Sequence, residues 1–137
     1  MSKSIVYTSQ TRTTGGRDGA AKSSDGALDV GLAPPGSRRV GTNPEQMFGA
    51  GWSACFLGAI GKAAIERDLR LPGDAAIDAE IDLVLDEAEG YSLAARLRVS
   101  LPGIDRATGQ ALAARAHQIC PYSKATRGNI AVDISVV

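Results

Sequence analysis

Two cysteines, Cys55 and Cys120, are the only thiols in this chain of 137 residues, and His117 is its only imidazole. The thiolate is the nucleophile and metal ligand, so each cysteine does chemistry only where something holds it ionised. Cys55 falls mid-way along a predicted helix, between Ala54 and Phe56. One reading makes it a buried free cysteine behaving as a small hydrophobe. The other makes it a nucleophile activated by a cation brought from elsewhere, because the helix macrodipole fades within the first turn. Cys120 ends a second predicted helix, just before Pro121. The 65 residues between the cysteines impose no local constraint, so their meeting is an inference from packing; a bridge needs Cα atoms about 4.4–6.8 Å apart. His117 precedes Cys120 by three residues on the same helical face. With both cysteines it supplies at most three soft ligands and no carboxylate is marked as a fourth, so no metal site is expected. A Cys120–His117 nucleophile pair is a further option, set against a partly exposed helix histidine.

Two charged residues stand out. Arg17 lies in Gly15-Gly16-Arg17-Asp18-Gly19, a flexible turn able to lay a guanidinium over a neighbouring element. Its plain alternative is a solvated surface arginine. Glu45 sits in the first turn of the helix that carries Cys55, where a carboxylate ordinarily complements the macrodipole. Ten residues separate Glu45 from Cys55, so they cannot touch through the helix alone. An arginine reaching across could connect them.

The elements that must position these side chains are legible in outline. Residues 4–9 are β-prone, residues 20–24 return as a strand after the glycine turn, and Leu28, Val30 and Leu32 alternate as a third. Asn43 suits an N-cap, Pro44 suits N1 and Gln46 suits a capping-box partner, which predicts a helix from Glu45 to about Asp68. Residues 47–61 carry no charge and are apolar or small on every side, the pattern of a buried central helix. Gly49, Gly51, Gly58 and Gly61 each disfavour that helix by up to ~1 kcal/mol, which predicts close backbone approach by a neighbour. Residues 77–85 and 91–99 alternate as strands, Asp105 is placed to cap a second helix ending at Cys120, and residues 130–137 alternate again. The order β-β-β-α-β-β-α-β predicts an α+β fold in which antiparallel strands pack on helices.

Composition narrows the function. Fifteen basic residues balance fifteen acidic ones, against nucleic acid or an anionic membrane as the main partner. Aromatic residues make up 4%, so the core must be aliphatic. No GxGxxG and no P-loop signals a nucleotide. No apolar run of about 18 residues is read as a membrane span and no signal peptide is read at the N-terminus, so the expected compartment is the cytoplasm, where thiols stay reduced.

Longer motifs then carry a resemblance. Asn43-Pro44-Glu45-Gln46-Met47-Phe48, Ser53-Ala54-Cys55-Phe56-Leu57-Gly58, and Cys120-Pro121-Tyr122-Ser123-Lys124-Ala125-Thr126-Arg127-Gly128-Asn129 resemble the organic hydroperoxide resistance (Ohr) proteins, a branch of the osmotically inducible protein C (OsmC) superfamily. The Thr14–Gly19 turn and Ser24-Asp25-Gly26 match as well, so the likeness spans nearly the whole chain and implies one domain over 1–137. Met47, Gly49 and Trp52 stand where Leu, Ala and Tyr are expected, and Lys124 where Asn is usual. The resemblance implies an intertwined homodimer with antiparallel sheets wrapped around a long buried central helix and a second helix. It implies a peroxidase for alkyl and lipid hydroperoxides, with a role in oxidative-stress defence, no bound cofactor, and dihydrolipoamide or a lipoylated protein as external reductant. Cys55 would be the peroxidatic cysteine, Cys120 the resolving one, Arg17 the stabiliser of thiolate and alkoxide, and Glu45 the residue orienting Arg17. Met47, Phe48, Trp52 and Phe56 are the expected walls of an apolar substrate pocket. A guanidinium about 4 Å from the sulfur, at an effective dielectric near 20, is worth on the order of 4 kcal/mol, about three pK units. The rival expectation is a non-catalytic binder of an apolar ligand with structural cysteines.

Overall fold

Short β-prone runs punctuated by glycine fold as a meander. In the computed structural model, which describes residues 2–137, β1 (Thr11–Thr14), β2 (Ala20–Ser23) and β3 (Asp29–Gly31) form an antiparallel sheet in that order. Between β1 and β2 a 3-10 turn, Gly16–Asp18, is made possible by Gly15 and Gly16, with φ of 73° and 62°, a region costly for other residues. Residues 4–9 are exposed and irregular, and the first strand begins at Thr11. Among the described residues their β propensity finds no partner strand and no covered face to act on, and propensity of this kind reports packing more than backbone preference. This first compact unit runs to Pro44; its buried hydrophobic residues are Ala21, Leu32 and Ala33.

The second unit, Glu45–Val137, holds the core. Helix α1 spans Pro44–Ile65, beginning where the proline predicts. It is followed by the hairpin β4 (Ala76–Asp86) and β5 (Gly90–Ser100), then α2 (Arg106–Ile119), α3 (Pro121–Thr126) and β6 (Ala131–Val136). The alternation decides the register: Ile77 faces Val99, Ala79 faces Leu97 and Ile81 faces Ala95, with Ala95, Leu97 and Val99 buried in the core. On the opposite face Arg96 binds Glu80 at 3.0 Å and Asp82 at 2.8 Å, and Arg98 binds Glu80 at 3.0 Å. Asp105 caps α2, accepting from the Thr108 backbone N–H at 3.1 Å and from its hydroxyl at 2.7 Å.

Three further expectations are corrected. β6 pairs with β5 in parallel, not antiparallel, so the sheet order is β4-β5-β6 with one parallel seam. The connection between them carries two helices, long enough for the crossover that a parallel pair requires. And α1 is not buried all round: Gly49, Trp52, Phe56, Ala59, Ile60, Ala63 and Ala64 form its buried stripe, while Ala50, Ala54 and Gly58 are exposed. By length and composition this helix could also cross a membrane, contrary to the expectation that no run would qualify. Its packing against Leu97, Val99, Leu112 and Ala116 is that of a core helix. Of its glycines, two meet the expected close approach. A Cβ on Gly49 would lie 3.3 Å from Ile81 Cγ1, and one on Gly51 would lie 3.3 Å from the Tyr122 hydroxyl, whereas Gly58 has nothing within 4 Å.

Candidate functional site: a thiol pair between two helices

Packing brings together what spacing left open. Cys55, three residues after the buried Trp52 on α1, is half-buried. Cys120 closes α2, its N–H bonded to the Ala116 carbonyl at 2.8 Å, and at the same time precedes Pro121, the first residue of α3. Its extended backbone (φ −65°, ψ 125°) breaks the helical run there, because the proline ring disfavours helical geometry in the residue before it. The sequence reads Pro121 as a stop; it also opens a new helix. The break turns Cys120 inward, where it is fully buried. Both thiols are reduced, and the two sulfurs lie within hydrogen-bond reach of one another, 3.4 Å apart.

The electrostatics of this pair are one-sided. Burial pushes the Cys55 thiol up from its ordinary value, and the adjoining Cys120 pushes it the same way. The Tyr122 backbone N–H and the Lys62 ammonium oppose them. At the observed 3.4 Å separation two sulfur anions would repel by about 5 kcal/mol at an effective dielectric near 20, so at neutral pH the pair carries one negative charge at most. Within this unit, then, the balance keeps Cys55 protonated. A thiolate there needs further positive charge.

The aromatic residues divide. Trp52 and Phe56 are fully buried, whereas Met47 and Phe48 are half-buried. Phe48 lies 5.4 Å from the Trp52 ring and stacks on Tyr122 at 6.2 Å. The Trp52 indole N–H donates to the hydroxyl of Ser123, itself fully buried, at 3.3 Å. Sequence reasoning missed this bond and the contribution of Tyr122; the signal available was Ser123 three residues after Cys120 and Trp52 three before Cys55. His117 is half-buried and packs on Phe56 at 6.5 Å, with its Nδ1 buried and without a hydrogen-bond partner. Burial, and then the nearby Arg127, hold its pKa below the ordinary imidazole value. Among the described residues no group of three or more His, Cys, Asp or Glu is gathered to hold a metal.

Arg17 occupies the 3-10 turn of the first unit and is exposed; Glu45 is half-buried in the first turn of α1, in the second. The Arg17 turn is tied down by Arg39, which pairs with the Asp18 carboxylate and donates to the Asp18 carbonyl at 3.0 Å and the Leu32 carbonyl at 2.9 Å. An open concavity of about 580 Å³ in the same unit, bordered by Thr11, Arg12, Ala21 and Lys22, touches none of the predicted site residues.

Comparison with known proteins places the fold. The model of the family described as OsmC-like protein matches residues 35–135. The chain belongs to the OsmC family. Within the family it is similar to an organic hydroperoxide resistance protein of Xanthomonas axonopodis pv. citri, at 45% identity over 96% of this chain and 95% of that one. The crystal structure of the organic hydroperoxide resistance protein OhrB of Bacillus subtilis superposes with a TM-score of 0.91 at 38% identity, covering 97% of this chain and 100% of that one. That of an organic hydroperoxide resistance protein from Legionella pneumophila gives 0.90 at 38%, covering 97% and 98%. The parallel seam between β5 and β6 and the helix break at Cys120 are therefore features of a chain built on the OsmC fold.

Proposed function

We propose that this OsmC-family protein is a thiol peroxidase that reduces organic hydroperoxides and serves in oxidative-stress defence. One observation carries the reading: two reduced cysteines, distant in sequence, stand 3.4 Å apart between two helices. The names of the Xanthomonas and Bacillus relatives support organic hydroperoxides as the substrate class. In the first step the Cys55 thiolate attacks the terminal peroxide oxygen, the O–O bond breaks, and an alkoxide leaves to be protonated to the alcohol. In the second, Cys120 attacks the sulfur of the Cys55 sulfenic acid, water leaves, and a Cys55–Cys120 disulfide forms. A dihydrolipoyl group, the reductant implied by the resemblance, returns both thiols and is itself oxidised to the cyclic disulfide.

Local burial disfavours the Cys55 thiolate, so the reading requires a cation. We assign that part to Arg17, a guanidinium that cannot lose its proton and can hold two acceptors at once, with Glu45 orienting it. Met47 and Phe48 are the predicted pocket residues that retain exposed surface; with Trp52 and Phe56 behind them they would favour bulky apolar peroxides over hydrogen peroxide. We further read residues 1–137 as one functional domain, acting in the cytoplasm and as a homodimer. The uncovered apolar side of α1, the fully exposed strand β1, and the exposed Leu83, Val84, Leu85 and Tyr91 of the long hairpin support a second copy as their cover.

The test is a thiol count. One equivalent of cumene hydroperoxide should consume both thiols per chain, and dihydrolipoamide should restore them where thioredoxin and glutathione do not. Cys55→Ser should abolish turnover; Cys120→Ser should leave one stoichiometric reaction followed by inactivation. A protein whose free thiols survive the peroxide is a binder, and the peroxidase reading fails.

A further inference from the structure

Contacts between α1 and the α2–α3 segment form an antiparallel ladder. Trp52 meets Ser123, Cys55 meets Cys120 and Phe56 meets His117, so that as one partner advances along α1 the other retreats. The rung beside the sulfurs is polar. Trp52 and Ser123 have no solvent exposure, and an indole N–H is a donor only. The Ser123 hydroxyl at 3.3 Å is the partner it has. This rung sits three residues before Cys55 on one side and three after Cys120 on the other, one helical turn from the pair. It fastens α3 to α1 just after the chain leaves Cys120.

We propose that the Trp52–Ser123 hydrogen bond is a positioning contact that holds Cys120 against Cys55 and thereby decides the fate of the oxidised sulfur. The proposal rests on the peroxidase reading. The sulfenic acid has two exits. In one, Cys120–SH displaces hydroxide, which leaves as water with the thiol proton, and the sulfurs close from the observed 3.4 Å to a bond of about 2.05 Å. In the other, a second hydroperoxide transfers one oxygen to the sulfenic acid, giving sulfinic acid and a second alcohol, an end that thiols do not reverse. Loosening α3 lengthens the first route and leaves the second untouched, because the second needs no partner from α3.

The measurement is the ratio of sulfinic acid to disulfide formed at Cys55 per turnover, read by intact mass after a pulse of cumene hydroperoxide. Ser123→Ala should raise that ratio roughly three- to tenfold, the effect of one net hydrogen bond. Trp52→Phe, which keeps the ring and removes the N–H, should raise it likewise, and the double variant should do no more than either single one. Ser123→Thr, which keeps the hydroxyl, should bring the ratio back towards that of the parent. A ratio unchanged in both Ser123→Ala and Trp52→Phe, with thermal stability lowered or not, overturns the positioning role and leaves the peroxidase reading intact. A parent protein that forms no Cys55–Cys120 disulfide at all overturns both.

Discussion

Gly58 gives the sharpest test of what covers α1. It lies in the helix interior on the exposed stripe shared with Ala50 and Ala54, and a Cβ built there meets nothing within 4 Å. For the chain alone, Gly58→Ala should therefore stabilise. Replacing a mid-helix glycine by alanine is worth about 0.8–1 kcal/mol, which for a domain of this size corresponds to about 3–4 °C in Tm. If a second copy lies against this stripe, the added methyl enters a packed interface, and overpacking costs about 1–3 kcal/mol. The expected sign is then reversed, with Tm lowered by several degrees and dependent on protein concentration. Ala54→Leu, on the same stripe, should act in the same direction and more strongly. The assay is a thermal melt at two protein concentrations, with light scattering to give the mass of the assembly. A higher Tm for Gly58→Ala, with the assembly mass of both variants equal to the parent's, would refute the reasoning that this face is an interface between copies.

Other perturbations reach the rest of the molecule. Arg17→Ala should raise the Cys55 pKa, seen as an upward shift of the alkylation rate profile with pH; an unmoved profile removes Arg17 from the proposed mechanism. His117 has a depressed pKa in the fold, so the folded chain binds fewer protons than the unfolded one, and its contribution is present above about pH 6.5 and lost as pH falls through the lower, folded value. His117→Gln should accordingly lose less stability than the parent between pH 7 and pH 5 in urea melts, and parallel losses would contradict this. Asp105→Ala removes the cap of α2 and should cost about 1 kcal/mol, measurable as a lower urea midpoint with unchanged slope.

Some of this architecture was written locally and some was not. Pro44 and Asp105 mark their helix starts by chemistry that acts within one turn, and both stand where the sequence placed them. The alternation of β5 likewise reports its own buried face. What escaped were relations between distant segments. The parallel seam of β5 with β6 depends on how a two-helix connection crosses the sheet, and no residue in either strand encodes direction. Residues 4–9 have strand composition and no strand, because composition cannot supply a neighbour. The uniform apolarity of residues 47–61 predicted burial on every side and the chain covers one stripe; the pattern records a demand for cover and is silent on what meets it. At the thiol pair, the residue types were readable and their 3.4 Å separation was not, since it arises from the break at Cys120-Pro121 acting with the Trp52–Ser123 rung.

The two sulfurs also differ in access: Cys55 keeps part of its surface open, and Cys120 has none. A disulfide joining them, as the proposed cycle requires, would have a single door. An incoming dithiol would then strike the outward sulfur, forming the mixed disulfide on Cys55 and expelling Cys120 into an enclosed space where it would take up a proton. Reduction would thus retrace the route of oxidation through the same opening. A bulky electrophile offered to the resting protein would mark one thiol and spare the other.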